Sequence, residues 1–325
     1  MSDAVSDSGT AAAPVRVAAV DCGTNSIRLL IADYADGGLT EIDRRMQIVR
    51  LGQGVDSTGA FAHDALLRTF AACAEYAEAV RAAGVERLRF VATSAARDVS
   101  NRDEFFAGVA ARFGVEPDII SGAEEAALSF RGATSGLAEL ELPGPYLVTD
   151  IGGGSTELIL GDESGVIAAE SLDMGSVRMT ERHLPSDPHS VEEMAAATKD
   201  VDELLDSTVV PLSEARCLIG VAGTVTTVAA VALGLKEYNP GAIHHSRIPA
   251  DVLLDTTSWL MGSTRMARSE VRAIHPGRVD VIGAGALILQ RIHDRIAGDL
   301  AYDEVVVSEH DILDGVALAL GESAG

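Results

Sequence analysis

Val17-Ala18-Ala19-Val20-Asp21-Cys22-Gly23-Thr24-Asn25-Ser26 is an apolar run, an acid and a turn of glycine and polar residues; a second apolar run, Ile27 to Ile31, follows. The pattern returns as Leu147-Val148-Thr149-Asp150-Ile151-Gly152-Gly153-Gly154-Ser155-Thr156, followed by Leu158 to Leu160. Each copy predicts strand, tight turn, strand, with an aspartate ending the first strand. Glycine lets backbone approach a ligand closely, and successive turn N–H groups form a concavity suited to phosphate oxygens. The carboxylate beside such a loop is badly placed to touch phosphate but well placed to hold a divalent cation that does. Occurring twice, the pattern predicts a duplicated α/β domain whose two loops close on one polyphosphate.

The residues between and after the loops repeat the same order. Strands are expected at 15–20, 26–33 and 39–51, then a helix at 64–82 with Leu66, Phe70, Cys73, Ala77 and Val80 at helical spacing. Strand 86–92, helix 101–113, strand 116–120 and helix 122–132 complete the unit, and Gly132 to Pro145 reads as a linker. The order restarts with strands 145–151, 155–161 and 165–172. Helix 190–206 is introduced by Ser190 and Glu193 in a capping box. Strand 216–221, helix 224–233, a loop over 234–248, helices 249–262 and 278–297, strand 303–307 and a helix from 309 close the chain. A βββαβαβα order appears twice.

The 325 residues are enough for two domains with cores of their own. A net charge of −24 argues against nonspecific binding to nucleic acid or to an anionic membrane, and no segment reaches the roughly 18 apolar residues of a span. The same charge repels a polyphosphate, so such a site needs metal ions and local arginines. Lysine occurs only at Lys199 and Lys236. Cys22, Cys73 and Cys217 lack CxxC spacing and sit in apolar contexts, which predicts reduced core residues in a cytoplasmic protein. Met1 to Pro14, small and acidic, reads as a disordered leader rather than a signal peptide.

Four further segments carry chemistry. Gly223-Thr224-Val225-Thr226-Thr227 follows a strand and opens a helix, an anion site at a helix N-terminus, although Thr224 could equally be a simple cap. In Ser121-Gly122-Ala123-Glu124-Glu125 a capping box commits Glu124 to the helix start and leaves Glu125 free to orient and deprotonate water. In Thr93-Ser94-Ala95-Ala96-Arg97-Asp98, Arg97 either clamps phosphate oxygens or pairs with Asp98. A period of two places Glu157 on the same face as Ser155, toward the ligand. His244, His245 and His275 lack metal-ligand spacing and read as surface or core residues. Arg278 and Asp280 read as helix-start residues, and Gly283 and Gly285 as sites of close helix packing.

With these residues laid out, the chain resembles the exopolyphosphatase / guanosine pentaphosphate phosphohydrolase family, within the actin–sugar kinase–Hsp70 superfamily, from Val15 to the last helix. The resemblance rests on both Asp-Gly loops, on Thr93 to Arg97, on Ser121 to Ala126 and on Gly223 to Thr227. It implies two actin-like (ribonuclease H-like) lobes, 15–132 and 133–308, with the last helix, within 309–325, packing back on the first. It assigns catalysis to Glu125 as general base with Glu157 as second acid, and a cation to Asp21, Asp150 and Glu157. Phosphate binding falls to Gly23, Thr24, Asn25, Ser26, Arg97, Gly152, Gly153, Gly154, Ser155, Thr156, Gly223 and Thr224. Mg²⁺ or Mn²⁺ is the implied cation, with K⁺ a further candidate, and a homodimer the implied assembly. The implied reaction is hydrolysis of the terminal phosphoanhydride of inorganic polyphosphate, with pppGpp, or regulatory binding of (p)ppGpp, as the alternative. Longer members append an HD-type helical domain, which a chain ending at Gly325 is expected to lack.

Overall fold

The structure is a computed structural model that describes residues 13–97 and 99–323; residues 1–12 of the expected leader lie outside it. Its first half contains β1 (Val15–Cys22), β2 (Ser26–Ala35), β3 (Gly38–Ile48), α1 (Val55–Thr58), α2 (His63–Ala82), β4 (Arg87–Ala92), α3 (Ser94–Arg97), α4 (Arg102–Phe113), β5 (Asp118–Ile119) and α5 (Gly122–Thr134). The second contains β6 (Tyr146–Ile151), β7 (Thr156–Asp162), β8 (Gly165–Leu172), α6 (Ser176–His183), α7 (Val191–Ser207), β9 (Cys217–Val221) and α8 (Ala222–Ala232). It ends with α9 (Pro240–Ile243), β10 (Arg247–Pro249), α10 (Ala250–Gly262), α11 (Arg265–Ser269), α12 (Ile282–Ile296), β11 (Glu304–Val307) and α13 (Ile312–Glu322).

The strand orders show the duplication directly. One sheet runs β3-β2-β1-β4-β5; the other runs β8-β7-β6-β9-β11, with β10 added antiparallel at the β11 edge. In each, the first three strands form an antiparallel meander and the first pairs in parallel with the fourth. β1 and β6 are apolar on both faces because helices cover both, so they read as continuous buried runs rather than alternating ones.

The covering helices are exchanged between the ends of the chain. α13 lays Ile312, Leu313, Val316 and Ala317 on Val17, Ala19, Leu30 and Val91 of the first sheet. α5 lays Ala126, Phe130 and Ala133 on Val148, Ile159 and Ile219 of the second. The two helices also pack on each other, which brings the N-termini of both to the cleft between the sheets.

Three local readings need correction. The loop expected at 234–248 contains α9 and β10, too short to show periodicity; Asn239 caps α9 by accepting from the Ala242 N–H at 3.2 Å. The helix expected from 278 starts at Ile282, because Pro276–Arg278 form a 3₁₀ turn whose Gly277 N–H donates to His275 Nδ1 at 3.0 Å. The Ser190–Glu193 capping box is present as read, but that at Ser121 is half-made. Ser121 accepts from the Glu124 N–H, while the Glu124 carboxylate turns to Arg89 at 2.6 Å. All three cysteines are buried and unpaired with one another, and no helix among the described residues is long and apolar enough to cross a membrane.

Candidate active site

The two Asp-Gly loops are the same turn built twice. Gly23 N–H donates to Ser26 O at 3.0 Å, and Gly152 N–H donates to Ser155 O at 3.0 Å. They face one another across a small polar pocket of about 70 Å³. Gly23, Thr24, Asn25 and Ser26 line it from the first sheet, and Gly152, Gly153 and Ser155 from the second. Gly154 turns its outer side to a neighbouring cavity. Thr156, expected at the phosphate, instead donates its hydroxyl to the Met174 carbonyl and is fully buried, so it holds the β7 start in place.

Four carboxylates line the pocket: Asp21, Glu125, Asp150 and Glu157. Asp21 ends β1 opposite Arg28, whose Nη2 donates to Asp21 Oδ2 at 2.6 Å; Arg28 also pairs with Asp311, the N-cap of α13. Burial raises the Asp21 pKa and Arg28 opposes the rise. Asp150 ends β6, accepts from Ser129 Oγ at 2.6 Å, and is pushed up to about 8 by burial and by Glu157. Glu157 accepts from Ser155 Oγ at 2.8 Å and from Ser171 Oγ at 2.7 Å, while burial holds its pKa above the ordinary value.

Glu125 sits in the first turn of α5 with 6% of its surface exposed. Burial, then the Glu157 charge, lifts its pKa well above the carboxylate range, and Arg97 works against that rise. Arg97 is placed differently from the phosphate-clamp reading. Its Nη2 pairs with Glu125 and its Nε donates to the Ile120 carbonyl at 3.2 Å, so its charge is spent on the acid. Its contribution in this arrangement is to favour ionised Glu125.

The third wall is the start of α8. Ala222, Gly223 and Thr224 line the pocket, and α8 has no side-chain cap, so its first N–H groups and dipole face inward. Thr224 lies inside the helix, which removes the simple-cap reading. The Arg278 guanidinium lies directly over Gly223 and lines the pocket. Among the described residues it has no ion-pair partner within 4 Å, and burial lowers its pKa. A phosphate would complete it.

Sequence reasoning missed Arg28 and Arg278. Arg28 was hidden in a strand, although aligning the two loops sets it opposite Glu157; Arg278 looked like a helix start. Asp280, also read that way, bridges the halves of the molecule through Arg50 at 2.8 Å. Gly283 and Gly285 do pack closely, against Arg268 and Thr224. His275 caps its turn, whereas His244 stacks on His245 with ring centroids 3.7 Å apart, away from the pocket lining.

This constellation has a family. A sequence model of the Ppx/GppA phosphatase family matches residues 30–320. The chain belongs to that family. Among its Ppx/GppA relatives, it is 49% identical over 316 residues to Exopolyphosphatase 2 of Mycobacterium tuberculosis, covering 94% of this chain and 98% of that one. It is 33% identical over 224 residues to a guanosine-5'-triphosphate,3'-diphosphate pyrophosphatase of Vibrio cholerae, covering 68% of this chain and 44% of that one. A crystal structure of an exopolyphosphatase-like protein superposes with a TM-score of 0.92 at 44% identity, over 96% of this chain and 99% of the other. The fold shared with that relative is α/β, with two mixed sheets of duplicated strand order.

Proposed function

We propose that this Ppx/GppA protein is an exopolyphosphatase that hydrolyses the terminal phosphoanhydride of inorganic polyphosphate and releases orthophosphate. The carrying observation is Glu125: a buried carboxylate at a helix start, facing two phosphate-type loops. In this reading the terminal phosphoryl group rests between the two loops, Gly23 to Ser26 and Gly152 to Ser155, the α8 N-terminus and Arg278. Glu125 accepts a proton from a water whose oxygen attacks the terminal phosphorus. The bridging P–O bond breaks, and its electron pair leaves with the shortened chain.

The donor set fits a divalent cation. Asp21 Oδ1 is buried in the pocket wall and has no hydrogen-bond partner among the described residues. No three histidine, cysteine or acidic side chains among those residues converge as a ready cage. One or two carboxylates supplemented by substrate oxygens suit Mg²⁺ or Mn²⁺. Asp21 and Asp150, with Glu157 beside Asp150, would hold it. When bound, it supplies neutralisation of charge on the transferring oxygens.

Next to the catalytic pocket, and sharing Arg28, Ala222, Gly223 and Arg278 with it, lies a cavity of about 300 Å³. Arg44, paired with Asp314, and Arg272, paired with Glu237, line it further out, and Arg278, without a carboxylate partner among the described residues, is the cation it offers a polyanionic tail. The higher identity to the mycobacterial exopolyphosphatase than to the Vibrio pyrophosphatase supports the polymer over pppGpp. Three buried free cysteines support a cytoplasmic setting, and a homodimer, testable by light scattering, completes the proposal. Phosphate release from long polyphosphate, tripolyphosphate, pppGpp and ATP in Mg²⁺ tests it. The long polymer should give the highest kcat/KM, and preference for pppGpp would replace this reading.

A further inference from the structure

We infer that orthophosphate formed at Glu125 leaves through a second cavity behind the glycine loops, while the shortened polymer stays in the front pocket. The inference rests on the exopolyphosphatase reading above. The second cavity, about 260 Å³, lies between the α1 segment and the start of α6, with Val55, Ala95 and Val177 in its walls. It shares Thr24 and Ser94 with the catalytic pocket, so these two side chains form the partition.

The partition is one side chain thick, with the Thr24 methyl packed against Gly52 and Gly153. Thr24 Oγ1 and Ser94 Oγ are hydrogen-bonded to each other at 3.2 Å. Gly154 closes on both from the opposite sheet; a Cβ there would stand 2.6 Å from Thr24 Oγ1 and 2.7 Å from Ser94 Oγ. Breaking one hydroxyl pair costs about 0.5–1.5 kcal/mol net. That is small beside any barrier compatible with turnover.

The geometry of the substrate calls for such an exit. A polymer attacked at its end places the reacting phosphate innermost, and the rest of the chain fills the way in. With one opening, each orthophosphate must wait for the chain to withdraw. The charges of the two cavities differ in the matching sense. The front carries Arg28, Arg44, Arg272 and Arg278; the first pairs with Asp21 and Asp311, the second with Asp314 and the third with Glu237, and Arg278 has no carboxylate partner among the described residues. The rear carries Asp56, Asp173 and Glu181 against Arg178. The front offers a polyanion Arg278, whereas the rear, with more acids than arginines, offers orthophosphate no site in which to settle. Asp56, from the first half of the chain, pairs with Arg178 and Arg182 of α6, so the outer end of the rear cavity is an ion-paired seam, and Arg178 Nε ties that seam to the glycine loop by donating to the Gly154 carbonyl at 2.7 Å.

Two variants of the full chain in Mg²⁺ test this. Val55→Trp narrows the rear cavity. Steady-state turnover of long polyphosphate should fall at least fivefold while the first turnover keeps its rate, and tripolyphosphate turnover should change less than twofold, since its pyrophosphate product frees the front. Parallel losses on both substrates, or no loss on either, would overturn the proposal. Asp173→Arg, at an exposed side chain, adds a cation to the rear. Orthophosphate should then inhibit at least threefold more strongly, and noncompetitively toward the polymer. Purely competitive inhibition in both wild type and variant would also overturn it. A wild-type chain that releases no orthophosphate from any polyphosphate would instead remove the exopolyphosphatase reading itself.

Discussion

Arg28 and Glu157 occupy the same place in two copies of one motif: each lies directly across a strand pair from the loop aspartate, Arg28 from Asp21 and Glu157 from Asp150. Duplication has therefore given the cleft one neutralised aspartate and one aspartate beside a second acid. The unbalanced half is where a cation is needed. Glu157→Gln should raise the Mg²⁺ concentration for half-maximal phosphate release by about tenfold or more, within the range for losing a group that supports a metal site. A titration curve superimposable on wild type would remove Glu157 from the cation's surroundings.

Glu125→Gln should lower kcat at least about 100-fold, the smaller end of what a general base contributes, with KM changed less than threefold. The neighbours of Glu125 fix the sign of two pH effects. The Glu157 charge raises the Glu125 pKa and Arg97 lowers it. The acid limb of the pH–rate profile should therefore move to lower pH in Glu157→Gln and to higher pH in Arg97→Ala. Shifts in the same direction would show that another group sets that limb.

Arg278→Ala should raise KM for long polyphosphate about tenfold while kcat stays within threefold, because the side chain lines both the catalytic pocket and the cavity that would carry the tail. Rescue by added salt is not expected; higher ionic strength should weaken the wild type more than the variant. A kcat-only effect would place Arg278 at the transition state instead.

The duplicated frame was legible because its signal is local: an apolar run, an aspartate and glycines recur in order, and buried β1 and β6 read as continuous apolar strands. Glu125 was legible for the same reason, since Ser121 marks the helix start. Arg278 was not, because a 3₁₀ turn of three residues has no periodicity and Arg278 reaches the cleft only through tertiary packing over Gly223. Arg97 and Thr156 were read by motif position, but their partners, Glu125 and the Met174 carbonyl, are fixed by contacts that sequence order does not encode. The packing of α13 back on the first sheet was expected only through the family resemblance, and the crossing of α5 to the second sheet was not read at all, since both helices are apolar enough to suit either face.

Asp150 gives a stability prediction with a definite sign. Its folded pKa, about 8, stands above the ordinary 3.8. Its contribution to stability is therefore complete below about pH 4 and is lost as pH rises toward 8. Asp150→Asn removes that loss. Without divalent metal the variant should be more stable than wild type at pH 8.5 by about 1–3 kcal/mol, with little difference at pH 5. Thermal melts at the two pH values measure this. Added Mg²⁺ should narrow the gap at pH 8.5 by stabilising only the ionised wild type.

The crossing of α5 and α13 couples stability to the site. A methyl group on Gly315 would overlap the Leu128 carbonyl, and one on Gly132 the Asp311 carbonyl, so the two helix backbones touch with no side chain between them. Gly315→Ala should cost about 1–3 kcal/mol in urea unfolding, as overpacking does. Gly298→Ala, where a Cβ meets nothing within 4 Å, should stay within about 0.5 kcal/mol of wild type. Glu125 sits at one helix start and Asp311, which holds Arg28, caps the other. Forcing the helices apart therefore displaces the base and the Arg28 network together. Gly315→Ala should lose more than tenfold in kcat at temperatures well below its own unfolding midpoint. Full activity in the folded variant would show that the cleft does not depend on this contact.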